Sequence, residues 1–71
     1  LGWSDVGSWH ALWEVSPKDD RGNAVQGEVV AVDCEGSLLR SDSTIAVAGV
    51  GLKDMVVVTT RDAVLVIPRD R

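Results

Sequence analysis

A mainly β chain led by one short helix is what this sequence predicts. Three features carry the expectation. The tryptophans are gathered at the start, two of them at helical spacing. Short segments rich in valine, isoleucine and threonine fill the remainder. Turn residues part those segments about every ten residues.

Trp9, Leu12 and Trp13 stand at i, i+3 and i+4, which is one face of a helix. Ser8 is a suitable N-cap, since its hydroxyl can accept from an otherwise unpaired amide, and Pro17 disfavours helical geometry at Ser16. These limits predict a helix over residues 9–15. Residues 18–23 form a polar turn ending in Gly22-Asn23, both tolerant of positive φ.

Five strand segments follow, over residues 24–33, 37–41, 44–48, 55–60 and 63–67. Their breaks are Cys34-Glu35-Gly36, Asp42-Ser43, Gly49-Val50-Gly51 with Lys53-Asp54, and Arg61-Asp62. Such spacing suits a sandwich, a barrel or a solenoid, and periodicity does not choose among them. Gly49 and Gly51 suggest a bend or bulge where backbones approach closely.

With 71 residues, 45% of them hydrophobic, the chain has enough material for one small core and sits near the lower size limit of independent stability. A partner is therefore expected, either a second copy or another domain. The chain begins at Leu1 without a methionine and ends at Pro68-Arg69-Asp70-Arg71, which reads as a piece of something longer. Cys34 is the single cysteine, so no internal disulfide can form, and a reducing compartment, the cytoplasm, is expected. Seven basic against eleven acidic residues give a net charge of −4 with no basic cluster. That balance speaks against nucleic acid and against an anionic membrane surface as partner. No apolar run approaches the length needed to span a bilayer.

Catalytic material is sparse. His10 is the lone histidine, next to Trp9 in the expected helix, and reads as a surface or packing residue. Cys34 follows Asp33 in a turn with no cationic neighbour in sequence, so it reads as structural, and its change to serine is expected to be nearly silent. The unusual stretch is Gly2-Trp3-Ser4-Asp5-Val6-Gly7-Ser8-Trp9. Two glycines and an aspartate ahead of a helix make a loop where amides converge on an anion, with Asp5 placed to share a hard cation. The structural alternative makes Asp5 an Asx-turn or capping residue and the glycines turn formers. The tryptophans likewise divide between a stacking platform and plain packing of the helix on a sheet.

That octapeptide, continued by Ala11-Leu12-Trp13-Glu14, resembles the bacterial mannose-1-phosphate guanylyltransferases, also called GDP-mannose pyrophosphorylases. The resemblance continues through Asp20, Gly22-Asn23, Gly27, Asp33, Arg40-Ser41 and the run from Val56 through Thr59-Thr60-Arg61-Asp62-Ala63 to Val66. It departs at Glu35-Gly36, where relatives often place an asparagine before the serine; glycine and asparagine both tolerate a left-handed turn.

The resemblance implies a left-handed parallel β-helix for the β segment. It implies two parts: residues 1–17 as the tail of a nucleotidyltransferase domain, and residues 18–71 as the β-helical C-terminal domain. It implies transfer of a guanylyl group from GTP to mannose 1-phosphate, giving GDP-mannose and pyrophosphate. The family's glycine-rich nucleotide loop has no counterpart in these residues, so no catalytic residue is assigned and the segment alone is expected to be inactive. One role carries over: Asp5 matches the family's Mg2+-binding aspartate, with Gly7 expected to turn the chain into the helix. Two non-catalytic alternatives stay open, an assembly module pairing through valine faces and a free ligand-binding β domain.

Overall fold

A computed structural model of the chain describes residues 5–69. Helix α1 (Val6–Val15) is followed by β1 (Ala24–Gln26), β2 (Val29–Val32), β3 (Leu38–Ser41), β4 (Val47–Val50), β5 (Met55–Thr59) and β6 (Val64–Pro68). The chain alternates between two sheets, one ordered β1-β3-β5-β6 and the other pairing β2 with β4. β1, β3 and β5 run parallel, as do β2 and β4, and a parallel bridge joins Glu35 to Lys53 on a third side. This is a three-sided parallel β-solenoid, the arrangement that periodicity left open.

The register explains how the coils stack. Ala24 lies against Leu38 and Leu38 against Val56, so one turn takes 14 residues and the next 18. The longer turn carries its extra residues between β3 and β4, in the loop around Ser43 and Thr44. Corners repeat on the same register: Gly22, Gly36 and Asp54 all have positive φ, and so do Asp33 and Gly51. A tight corner needs left-handed backbone, which glycine adopts freely and aspartate tolerates.

Several boundaries differ from the sequence expectation for physical reasons. The expected strand 24–33 splits in two at Gly27, whose φ is 85°; a Cβ there would run into the Ser41 carbonyl. The strand expected at 44–48 begins later, at Val47, because local bonds hold residues 43–45 in a turn. Ser41 Oγ donates to the Ser43 and Ile45 carbonyls, while the Ile45 amide donates to Ser43 Oγ at 3.2 Å. Gly49 lies inside β4 rather than in a break.

The parallel solenoid expected over residues 23–67 holds only as far as β5. β6 returns antiparallel along it, pairing Val56 with Ile67 and Val58 with Leu65. Four residues separate the two strands, enough for a hairpin and far too few for a parallel crossover.

Two apolar layers result. Between α1 and the outer face of the larger sheet, Trp9, Ala24, Leu38, Val56 and Val58 are buried, with Leu12, Trp13, Leu65 and Ile67 packed around them. Inside the coil, Leu39, Val47 and Cys34 are buried. Gly49 faces Leu52, Leu39 and Cys34 there, so closely that a Cβ would stand 3.0 Å from Leu52 Cδ1. Cys34 is thus an interior residue, in keeping with the structural role expected of it; its Sγ–H points to the Val32 carbonyl at 3.5 Å. Among the described residues, no helix is long and apolar enough to cross a membrane.

Candidate functional site

The helix starts earlier than its periodicity suggests, and its cap is Asp5, not Ser8. Ser8 occupies the first turn and binds Asp5 twice: its hydroxyl donates to Oδ2 at 2.7 Å and its amide to Oδ1 at 3.3 Å. Those bonds, the hydroxyl first, hold the Asp5 carboxyl below the usual carboxylate range. Asp5 is consequently an exposed, ionised carboxylate held in one orientation at the positive end of a helix. The two sequence readings of this residue are not rivals. Two accepted bonds leave lone pairs free on both oxygens, so a capping carboxylate still has coordination capacity.

Gly7 is the second residue of α1 and does not have positive φ, so it does not turn the chain as expected. Its missing side chain leaves space at the carboxylate, since a Cβ would approach Asp5 Oδ1 to 3.4 Å. The preceding residues of the octapeptide, Gly2-Trp3-Ser4, lie outside the described residues.

A single carboxylate suits magnesium only in part. Among the described residues no group of three or more His, Cys, Asp or Glu side chains converges as a metal cage. Magnesium keeps several waters and is commonly bound through one or two carboxylates with substrate phosphates supplying the rest. Asp5 fits that pattern as one ligand of a shared ion.

The other candidates resolve structurally. Trp9 is 5% exposed in the core. Trp13 donates from Nε1 to the Gly22 carbonyl at 2.9 Å, while its face is covered by the Arg69 guanidinium, 3.6 Å from the ring centroid. Neither ring offers a free stacking platform; Trp3 lies outside the described residues. His10 sits beside Trp13, with Nδ1 3.3 Å from Arg69 Nη1 and Nε2 3.7 Å from Glu14. Sequence reasoning missed Arg69 altogether, because its partners Asp54, Trp13 and His10 are distant along the chain. A narrow cleft of about 130 Å³ lies between the end of α1 and β1, floored by Leu38. Its one charged lining residue, Arg40, is turned to Asp42 at 2.9 Å.

Comparison with known proteins adds the following. The model of the MannoseP isomerase/GMP-like beta-helix domain matches residues 27–71. A mannose-1-phosphate guanylyltransferase of Klebsiella pneumoniae is 51% identical over 97% of the chain. The xanthan biosynthesis protein XanB of Xanthomonas campestris pv. campestris is 50% identical over 99% of it. The chain spans only 14% and 15% of those two relatives. Among solved structures, the crystal structure of a mannose-1-phosphate geranyltransferase from Thermus thermophilus superposes with a TM-score of 0.70. It is 38% identical, over 94% of this chain and 20% of that one.

Proposed function

Because the chain belongs to the MannoseP isomerase/GMP-like beta-helix domain family, we propose that it works as the C-terminal part of a mannose-1-phosphate guanylyltransferase. The observation that carries this reading is the extent of the match to the Klebsiella pneumoniae relative. A match over 97% of the chain takes in α1 as well as the coils, so the likeness covers more than a scaffold.

In this reading residues 1–17 end the nucleotidyltransferase domain and residues 18–71 form the β-helical domain. The substrates are GTP and mannose 1-phosphate, and the products are GDP-mannose and pyrophosphate. Asp5 contributes one ligand to Mg2+, which supplies charge neutralisation where two phosphate groups must meet for in-line attack. Ser8 keeps the Asp5 carboxylate ionised and oriented. The site is completed by residues beyond this chain, and the enzyme acts in the cytoplasm.

The outer face of β2 and β4 supports the expected association. Val30, Val32 and Val50 are 57, 45 and 68% exposed on it. Covering such a face favours contact with a second copy or with the catalytic domain.

The test is a pyrophosphate-release assay with GTP, Mg2+ and mannose 1-phosphate on the polypeptide encoded by the whole reading frame and on this segment alone. The whole polypeptide should turn over and the segment should not. Absence of turnover by the former, or activity of the latter surviving repurification, overturns the reading. Asp5→Asn in the whole polypeptide should lower turnover by roughly tenfold or more with circular dichroism unchanged, because a neutral amide ligates magnesium more weakly.

A further inference from the structure

We infer that Arg69 is a positioning residue, clamping α1 to the end of the solenoid and so fixing where the Asp5 carboxylate stands. The inference rests on reading Asp5 as a magnesium ligand and adds the element that aims it.

Arg69 follows β6 directly. Its amide donates to the Asp54 carbonyl at 2.7 Å and its Nη2 to Asp54 Oδ1 at 3.1 Å, which ties it to the positive-φ corner before β5. The guanidinium then lies over Trp13 at 3.6 Å and brings Nη1 to 3.3 Å from His10 Nδ1. Its side chain is only 13% exposed. His10 and Trp13 are at i and i+3, so one planar cation grips two neighbouring positions on one helix face. A fork of donors stacked on a ring is a geometry that lysine cannot reproduce.

The helix needs such a grip. Trp9, buried in the core, sets the depth of the helix on the sheet. Trp13 Nε1 on the Gly22 carbonyl and Arg69 add directional restraint, both toward the helix C-terminus. Asp5 lies on the other side of the Trp9 pivot, four residues or about 6 Å along the axis. A tilt of about 10° about that pivot moves the carboxylate by about 1 Å, and misplacement of that size costs on the order of a hundredfold in rate.

The experiment uses the polypeptide from the whole reading frame and compares Arg69→Met, Arg69→Lys, His10→Ala and Asp5→Asn. The readouts are kcat, KM for GTP, the Mg2+ concentration for half-maximal turnover, and hydrogen exchange of α1, β3 and β5 amides. Arg69→Met should lower kcat by roughly ten- to a hundredfold and raise the Mg2+ requirement, with KM for GTP within about twofold of wild type. Exchange should quicken in α1 while β3 and β5 stay protected, and Arg69→Lys should recover only part of the loss. Unchanged kcat and Mg2+ dependence in the Arg69 variants, alongside a clear shift in Asp5→Asn, overturns the clamp and leaves the metal reading standing. An unchanged Mg2+ dependence in Asp5→Asn overturns the metal reading and the clamp with it. Should Arg69→Met fail to fold, Arg69→Lys and His10→Ala decide the matter on the same readouts.

Discussion

The side-chain carbonyl of Asn23 accepts a hydrogen bond from the backbone amide of Ser37 at 3.1 Å, joining the same corner of two successive coils. Asn23 Nδ2 donates to the Cys34 carbonyl at 2.8 Å, and the Ala24 amide donates to the Ser37 carbonyl at 2.8 Å. Ser37 repeats the task one coil later, its Oγ accepting from the Met55 amide at 3.1 Å. Both residues are buried, at 2% and 0% exposure, so this polar seam replaces water for backbone groups that the corners cannot pair.

Asn23→Leu should therefore destabilise the fold by about 2–4 kcal/mol, because it strands the Ser37 amide and the Cys34 carbonyl in the interior. Urea denaturation checks this. A loss below about 1 kcal/mol would show that water reaches the seam.

Two glycines with similar φ separate backbone strain from collision. Gly51 has φ 69° and open space around it; Gly27 has φ 85° and the Ser41 backbone in the path of any Cβ. Gly51→Ala should cost about 1–2 kcal/mol, the left-handed penalty alone. Gly27→Ala should cost clearly more, since the colliding atom belongs to a sheet strand. Equal midpoint shifts in denaturant would contradict the comparison.

Cys34→Ser should destabilise by about 1–2 kcal/mol through burial of a hydroxyl among Gly49 and its neighbours, while leaving turnover of the folded enzyme unchanged. The measurement is a thermal melt paired with the pyrophosphate assay. The unchanged turnover is what a thiol without a cationic neighbour implies.

The acid limb of stability should depend on Asp19. The Asn23 amide foremost, with the Arg21 amide, the Asn23 side chain and the Arg21 charge, outweighs the opposing desolvation and holds its carboxyl below the usual range. A depressed carboxylate stabilises fully above its unfolded value and loses that contribution as pH falls through the lower folded value. Asp19→Asn should thus be less stable than wild type near neutrality, the gap closing in acid below the ordinary carboxylate range. A gap independent of pH would remove the ionised carboxylate from the account.

The sequence by itself determined the short helix, the β character of the remainder, most of the turns and the family resemblance. Each is written locally: Trp9, Leu12 and Trp13 at helical spacing, valine-rich runs, and glycine or aspartate at corners. It did not determine the cap, because Ser8 and Asp5 are both good capping residues and only the observed first turn decides between them. It did not determine the solenoid from periodicity, since a parallel rung and an antiparallel hairpin use the same strand vocabulary; register across 14 and 18 residues separates them. The reversal of β6, the interior place of Cys34 and the grip of Arg69 on Trp13 were decided by tertiary structure. Arg69 and His10 stand 59 positions apart, and what brings them within 3.3 Å is the stacking of whole coils under one helix, which no local pattern encodes.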